Sequence, residues 1–218
     1  MVNVEAYQKL KGELEAKGVS LVAVSKIKPP SDIKALYDLG QRDFGENYVQ
    51  ELVDKQGQLP GDIRWHFIGH LQSNKVKYIA PFVHLIHGID SEKLLREVSK
   101  QAVKANRRID VLLQVHIAQE ETKFGFDKNE LEQMLKSFQT AALPGIRVRG
   151  LMGMASFSEN EQQVREELRS LSDLFNKHKS QLADFDTLSM GMSGDYELAI
   201  AEGSNLVRIG SLLFGRRN

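Results

Sequence analysis

From end to end the chain alternates short runs rich in Val, Ile and Leu with stretches of helical periodicity, and this repetition limits its possible folds more than any single motif. Strands are predicted at 19–26, 42–46, 64–68, 84–89, 109–117, 146–154, 187–192 and 206–209. Helices are predicted at 3–17, 31–39, from 47 onward, 73–80, 91–105, 128–138, 160–179 and 195–201. Val4, Tyr7, Leu10 and Leu14 mark the apolar stripe of the first helix, and Val164, Leu168, Leu171 and Phe175 that of the longest. Asn47 and Gln50 have the spacing of a capping box. Repeated strand–helix units favour a parallel sheet. Eight of them, with no Pro- or Gly-rich linker between, predict a single (β/α)8 barrel over residues 1–218 with an extra N-terminal helix. An open doubly wound sheet is the alternative, and no GxGxxG follows the first strand to support it.

Hydrophobic residues make up 41% of the 218, ample for a core. The 29 Lys plus Arg balance 29 Asp plus Glu, so net charge gives no reason to expect nucleic acid or an anionic membrane as partner. The absence of cysteine excludes disulfides and thiolate metal sites. The N-terminus lacks the apolar core of a signal peptide, and no apolar run is long enough to cross a bilayer. The expectation is a soluble, cytoplasmic protein.

In a barrel, the C-terminal strand ends converge on one site. The first predicted strand, VSLVAVSK, closes on Lys26. A lysine there either snorkels to water or, desolvated, serves as an amine nucleophile toward aldehydes. The second strand ends at Glu46 and Asn47, and the sixth at Met152 to Met154. The seventh leads into Ser193 and Gly194, and the eighth carries Arg208 and leads into Gly210 and Ser211. Small residues before short helices let backbone N–H groups approach an anion, and barrels commonly hold phosphate after strands seven and eight. The blander reading is that these glycines merely end strands. Arg208 lies two residues before Gly210 and shares its face. It pairs either with Glu46, or another carboxylate, or with a bound ring. His66 and His70 lack the context of a helical metal pair, so no metal is expected. His87 and His116 lie on strands four and five with no assigned role, and Glu120, Glu121 and Lys123 read as a solvated loop.

The segments AVSKIKP (23–29), FGENYVQE (44–51), WHFIGHLQSNK (65–75), RGLMGM (149–154), GMSGDYELAI (191–200) and NLVRIGSLLFGRR (205–217) together resemble the pyridoxal 5′-phosphate homeostasis protein family. That family has the fold of the alanine racemase barrel domain standing alone. The resemblance implies that Lys26 forms an aldimine with pyridoxal 5′-phosphate, that Ser193, Gly194, Gly210 and Ser211 hold the phosphate, and that Arg208 faces the pyridine nitrogen. It places Asn47 and Met152 near the ring. The chain departs from the family pattern at His116, where many relatives have asparagine, and at Gly88, where serine is frequent.

An arginine can only donate to the ring nitrogen, which leaves the electron sink weak. Alanine racemase also uses a tyrosine base from a separate domain, for which this chain has no room after the eighth unit. Tyr48, Tyr78 and Tyr196 are not obvious substitutes. The expected function is therefore to buffer or deliver pyridoxal phosphate, maintaining vitamin B6 and amino-acid balance, with little or no turnover. Apo-enzymes that take up the cofactor, or a regulatory protein, are the candidate partners of an expected monomer. The alternatives are a racemase or lyase with an unidentified second base, and a barrel enzyme whose Lys26 attacks a sugar-phosphate carbonyl.

Overall fold

Strands that are apolar on both faces need cover on both sides. The chain supplies it by closing its sheet and wrapping helices around the outside. The computed structural model describes residues 2–120, 124–140 and 143–215. Among these, eight parallel strands form a closed barrel in sequence order. The strands are β1 (Ser20–Val24), β2 (Asp43–Glu46), β3 (Arg64–Phe67), β4 (Leu85–Ile89), β5 (Ile109–Gln114), β6 (Ile146–Met152), β7 (Thr187–Ser189) and β8 (Leu206–Ile209). Closure is made by β1 against β8, in register Leu21 to Val207 and Ala23 to Ile209. The helices are α1 (Val4–Ala16), α2 (Pro30–Asp38), α3 (Val49–Gln56), α4 (Val76–Ile79), α5 (Glu92–Lys104), α6 (Lys128–Thr140), α7 (Glu161–Lys179), α8 (Tyr196–Ala201) and α9 (Ser211–Phe214).

The extra N-terminal helix is present. Asn3 caps α1 by accepting from the Ala6 N–H at 3.0 Å. Its own N–H donates to Leu213 O on α9 at 2.8 Å. The largest apolar cluster lies between sheet and helices, where Leu168, Leu171 and Phe175 of α7 are buried and Phe175 stacks on Phe185 at 5.3 Å. Alternate strand residues point inward instead. Val22, Leu85, Leu112, Met152 and Leu206 form an apolar layer inside the barrel. His66, His87, Ser189 and Arg208 occupy the same inward phase and are buried as well.

Several local expectations need correction. Lys26 does not close β1; the strand stops at Val24 and Lys26 sits in the following turn. The fifth strand ends at Gln114, where the chain bends so that Val115 bridges to Phe126. Residues 73–80 split into a 3-10 turn, Ser73–Lys75, and the short α4. Asn47 caps nothing: α3 begins after Tyr48, and the Gln50 amide donates to Asp54. Glu121 and Lys123 of the expected solvated loop, and the last residues of the NLVRIGSLLFGRR segment, lie outside the described residues.

The β6–β7 register requires glycine at 150. Gly150 has φ +151°, and a Cβ there would come within 1.8 Å of Thr187 O. Gly150→Ala must therefore push β7 away from β6. We expect it to lower the free energy of unfolding by roughly 3 kcal/mol or more, measured by urea titration.

Candidate functional site

The site is built on five consecutive strand ends, from β6 through β7, β8 and β1 to β2. The turn after β1 presents Lys26. Its first residue, Ser25, is fully buried, and the Lys28 N–H closes the turn on Ser25 O at 3.0 Å. Ile27 has φ +64°. A β-branched residue in the left-handed region costs about 1–2 kcal/mol, so something must hold it there. The Ile27 N–H donates to Glu51 Oε1 at 2.6 Å. Lys55 Nζ donates to the same oxygen at 2.6 Å, to Glu46 Oε1 at 2.7 Å and to Ser25 O at 2.8 Å. Ser25 Oγ donates to Glu46 Oε1 at 2.6 Å. The residues on both sides of Lys26 are thus fixed by one buried ammonium and two carboxylates from β2 and α3.

Burial pushes the Glu46 carboxyl above its usual range, against the opposing pull of Lys55 and Ser25. Glu46 Oε1 is taken by Lys55 and Ser25, and the Arg208–Glu46 pair considered from the sequence does not form. The Glu51 to Lys55 spacing was visible as an i,i+4 pair. Nothing in the sequence said that Lys55 would be buried beneath the Lys26 turn.

Arg208 points into the barrel. Its Nη1 donates to Ser189 O at 2.9 Å and Ser189 Oγ at 2.6 Å, and Nη2 donates to Gly153 O at 3.1 Å. No carboxylate pairs with it among the described residues, and its Nε–H finds no acceptor there. Burial lowers its pKa to about 10, partly offset by the charge of Asp195. The group remains a cation at neutral pH.

Beside it lie the two small-residue turns. Gly210 reaches across to β1, where a Cβ would meet Val24 O at 3.2 Å. The Gly210 N–H donates to Ser193 Oγ at 3.3 Å, which joins the turns after β7 and β8. The amides of Ser193, Gly194, Ser211 and Leu212 find no protein acceptor among the described residues. Open space surrounds the Gly194 Cα. The helices α8 and α9 have six and four residues, too short for the helix-terminus argument made from the sequence. The unspent amides remain.

On β2's side, Asn47 Oδ1 is buried without a hydrogen-bond partner. Its backbone is pressed by Gly69, where a Cβ would approach Asn47 O to 2.4 Å. Met152 is buried in the apolar layer inside the barrel, on the strand that leads into Gly153.

The histidines separate. His116 Nε2 bonds to Glu120 O at 2.9 Å and so braces the loop after β5. His70 bonds to Asp90 and stacks on Phe124 at 4.0 Å. His66 and His87 lie inside the barrel and bond to each other at 2.9 Å. Gly88, on the same strand as His87, packs so closely that a Cβ would come within 2.7 Å of Gly69 O.

The alanine racemase N-terminal domain model matches residues 5–218. The pyridoxal phosphate homeostasis protein of Aquifex aeolicus is 43% identical over 199 residues, covering 90% of this chain and 86% of that protein. The protein of the same name from Escherichia coli K12 is 40% identical over 204 residues, covering 92% and 86%. This chain belongs to the pyridoxal phosphate homeostasis protein family. Among solved structures, PipY of Synechococcus elongatus with pyridoxal phosphate bound superposes with a TM-score of 0.87 at 34% identity, over 97% of this chain and 99% of that one. No helix among the described residues is long and apolar enough to cross a membrane.

The Lys26 clamp has a measurable cost of removal. Lys55→Met would remove the cation shared by Glu46, Glu51 and Ser25 O and leave the buried Glu46 carboxyl with Ser25 alone. We expect about 3–5 kcal/mol lost from unfolding in denaturant titration. Adding Glu46→Gln should recover part of that loss, because a neutral amide replaces the carboxyl left without its cation.

Proposed function

We propose that this chain binds pyridoxal 5′-phosphate at the mouth formed by β6 to β2, and that it holds and hands on the cofactor rather than using it for turnover. The observation that carries this reading is the buried Arg208 cation, which has no carboxylate partner among the described residues, beside two turns of unspent amides and a strained turn presenting a lysine. A buried cation and four free amides call for an anion with further acceptors. The buried, unpartnered Asn47 Oδ1 calls for a donor at the same mouth. An aromatic aldehyde phosphate with a ring nitrogen and a phenolic oxygen meets these demands. The names of the relatives and the cofactor bound in PipY point the same way.

Each residue has a role in this reading. Lys26 anchors the cofactor covalently, its amine replacing the aldehyde oxygen, which leaves as water. Ser193, Gly194 and Ser211 hold the phosphate through backbone N–H and hydroxyl groups, and Gly210, whose N–H is spent on Ser193 Oγ, lines the same cup without a side chain. Arg208 donates its Nε–H to the ring nitrogen and cannot accept from it. Asn47 accepts at the ring edge, and Met152 forms an apolar floor. Pyridoxal phosphate supplies an electron sink when bound, and a donating arginine keeps that sink weak.

Turnover also needs a base on the substrate side. Tyr48 and Tyr78 are exposed. The Tyr196 phenol is raised above its ordinary value by burial and by its hydrogen bond to Glu197, the wrong direction for a base. We therefore infer a carrier or buffer serving vitamin B6 and amino-acid balance. It acts as a cytoplasmic monomer whose protein partners are apo-enzymes that take up pyridoxal phosphate.

The test is direct. Purified wild type incubated with pyridoxal phosphate should turn yellow, and borohydride should fix a mass increase that Lys26→Ala lacks. A wild type that stays colourless overturns the proposal, and an adduct retained by Lys26→Ala overturns the lysine assignment. Exchange of an amino-acid α-proton in deuterated solvent would install the racemase reading instead. Pyridoxal without its phosphate should bind roughly 100-fold more weakly by absorbance titration, the loss of about two charge-assisted hydrogen bonds.

A further inference from the structure

The interior of a (β/α)8 barrel is ordinarily filled by branched apolar side chains. Here a line of polar groups crosses it from one mouth to the other. Arg208 Nη1 is 2.6 Å from Ser189 Oγ, and Ser189 Oγ is 3.0 Å from His87 Nδ1. His87 Nε2 is 2.9 Å from His66 Nδ1, and His66 Nε2 is 2.9 Å from Asp43 Oδ1. Ser189 and His87 are wholly buried, and His66 and Arg208 nearly so. Five strands contribute: β8, β7, β4, β3 and β2. Buried polar groups are costly unless every donor meets an acceptor, so their proton positions must be mutually consistent.

The two ends fix those positions. Although burial opposes it, hydrogen bonds from His66 and Arg64 hold the Asp43 carboxyl well below the usual carboxylate range. Asp43 is therefore ionised and can only accept, so His66 Nε2 carries a proton. At the other end Arg208 can only donate. Ser189 Oγ accepts from it and has its own hydrogen left for His87 Nδ1. Burial, with the Arg208 cation adding to it, pushes His87 well below the ordinary histidine value, so it is neutral with one N–H. That N–H must be Nε2, donating to His66 Nδ1. Every bond in the line then runs in one sense, from Arg208 through Ser189, His87 and His66 to Asp43.

The lower end opens on a cavity of about 240 Å³ at the N-terminal mouth, lined by Asp43, Arg64, His66, His84, Asp110 and Arg149 among others. Asp43, His66 and His84 lie close enough together to suggest a metal. Yet Arg64 engages both Asp43 oxygens, and His66 Nε2 spends its proton on Oδ1. Asp110 is likewise taken by Arg147 and Arg149. The cluster is an ion-paired terminus for the chain of hydrogen bonds.

We propose that His66 and His87 are positioning residues for Arg208. The one-way chain commits the Ser189 hydroxyl hydrogen to His87, which leaves Ser189 Oγ as an acceptor that pins Nη1 and aims the Nε–H at the ligand. This rests on the reading of Arg208 as the group facing the ring nitrogen. It assigns a function in ligand binding to a histidine and an aspartate at the mouth remote from the ligand.

The chain itself is read in the protein without ligand. At pH 8, above the ordinary histidine range, 15N NMR of the imidazoles should show both His87 and His66 as Nε2–H tautomers. His87 carrying its proton on Nδ1 overturns the proposal. The consequence is read with pyridoxal phosphate bound. His66→Leu breaks the chain and should weaken cofactor binding about tenfold and shift the absorbance of the bound chromophore. His66→Gln can accept from His87 through its carbonyl and donate to Asp43 through its amide, keeping the sense of the chain, and should restore both readouts. A His66→Leu protein that is folded and loads with unchanged affinity and spectrum overturns the positioning role. A wild type that never loads the cofactor overturns the ligand reading and with it the positioning role, while the tautomers still decide whether the chain exists.

Discussion

A guanidinium buried without a carboxylate is the interaction around which the barrel interior is arranged. Removing Arg208 from water is costly, and the structure offsets that cost with the Ser189 and Gly153 carbonyls and the Ser189 hydroxyl. Those partners come from β7 and from the residue that follows β6, so three neighbouring chain segments are tied to one side chain. Gly150 lies in the same neighbourhood, where its lack of a Cβ lets β7 lie against β6 at Thr187.

The turn carrying Lys26 follows a different logic. There the unfavourable element is backbone conformation, and the compensation is a buried ion pair. Glu46, Glu51 and Lys55 hold the residues flanking Lys26 at both sides. Strain at a site persists only where the surroundings over-determine it, and three side chains on one turn achieve that.

The alternation of strand and helix was legible because it is local: burial on both faces writes itself into each short run as unbroken apolar character. The end of the eighth strand at Arg208 and Gly210 followed from it, whereas the first strand stops at Val24 and leaves Lys26 in the turn. The length of each strand did not, since Val115 leaves the fifth strand to bridge Phe126, a partner no periodicity reveals. The same limit hid the clamp and the hydrogen-bond chain. His87 and Ser189 are separated by 102 positions and meet only because the barrel closes. Asn47 misled for the opposite reason: its spacing to Gln50 resembled a cap, but the chain needed Asn47 in the bend before α3.

Zero net charge also conceals a polarity. Around the N-terminal mouth, Arg64 is matched by Asp43, and Arg147 and Arg149 by Asp110 and Asp186. Arg208, deeper in the barrel, has no such match among the described residues and is left to carbonyl and hydroxyl partners, with only the charge of Asp195 acting on it. An even balance over the whole chain thus coexists with ion pairs gathered at one mouth.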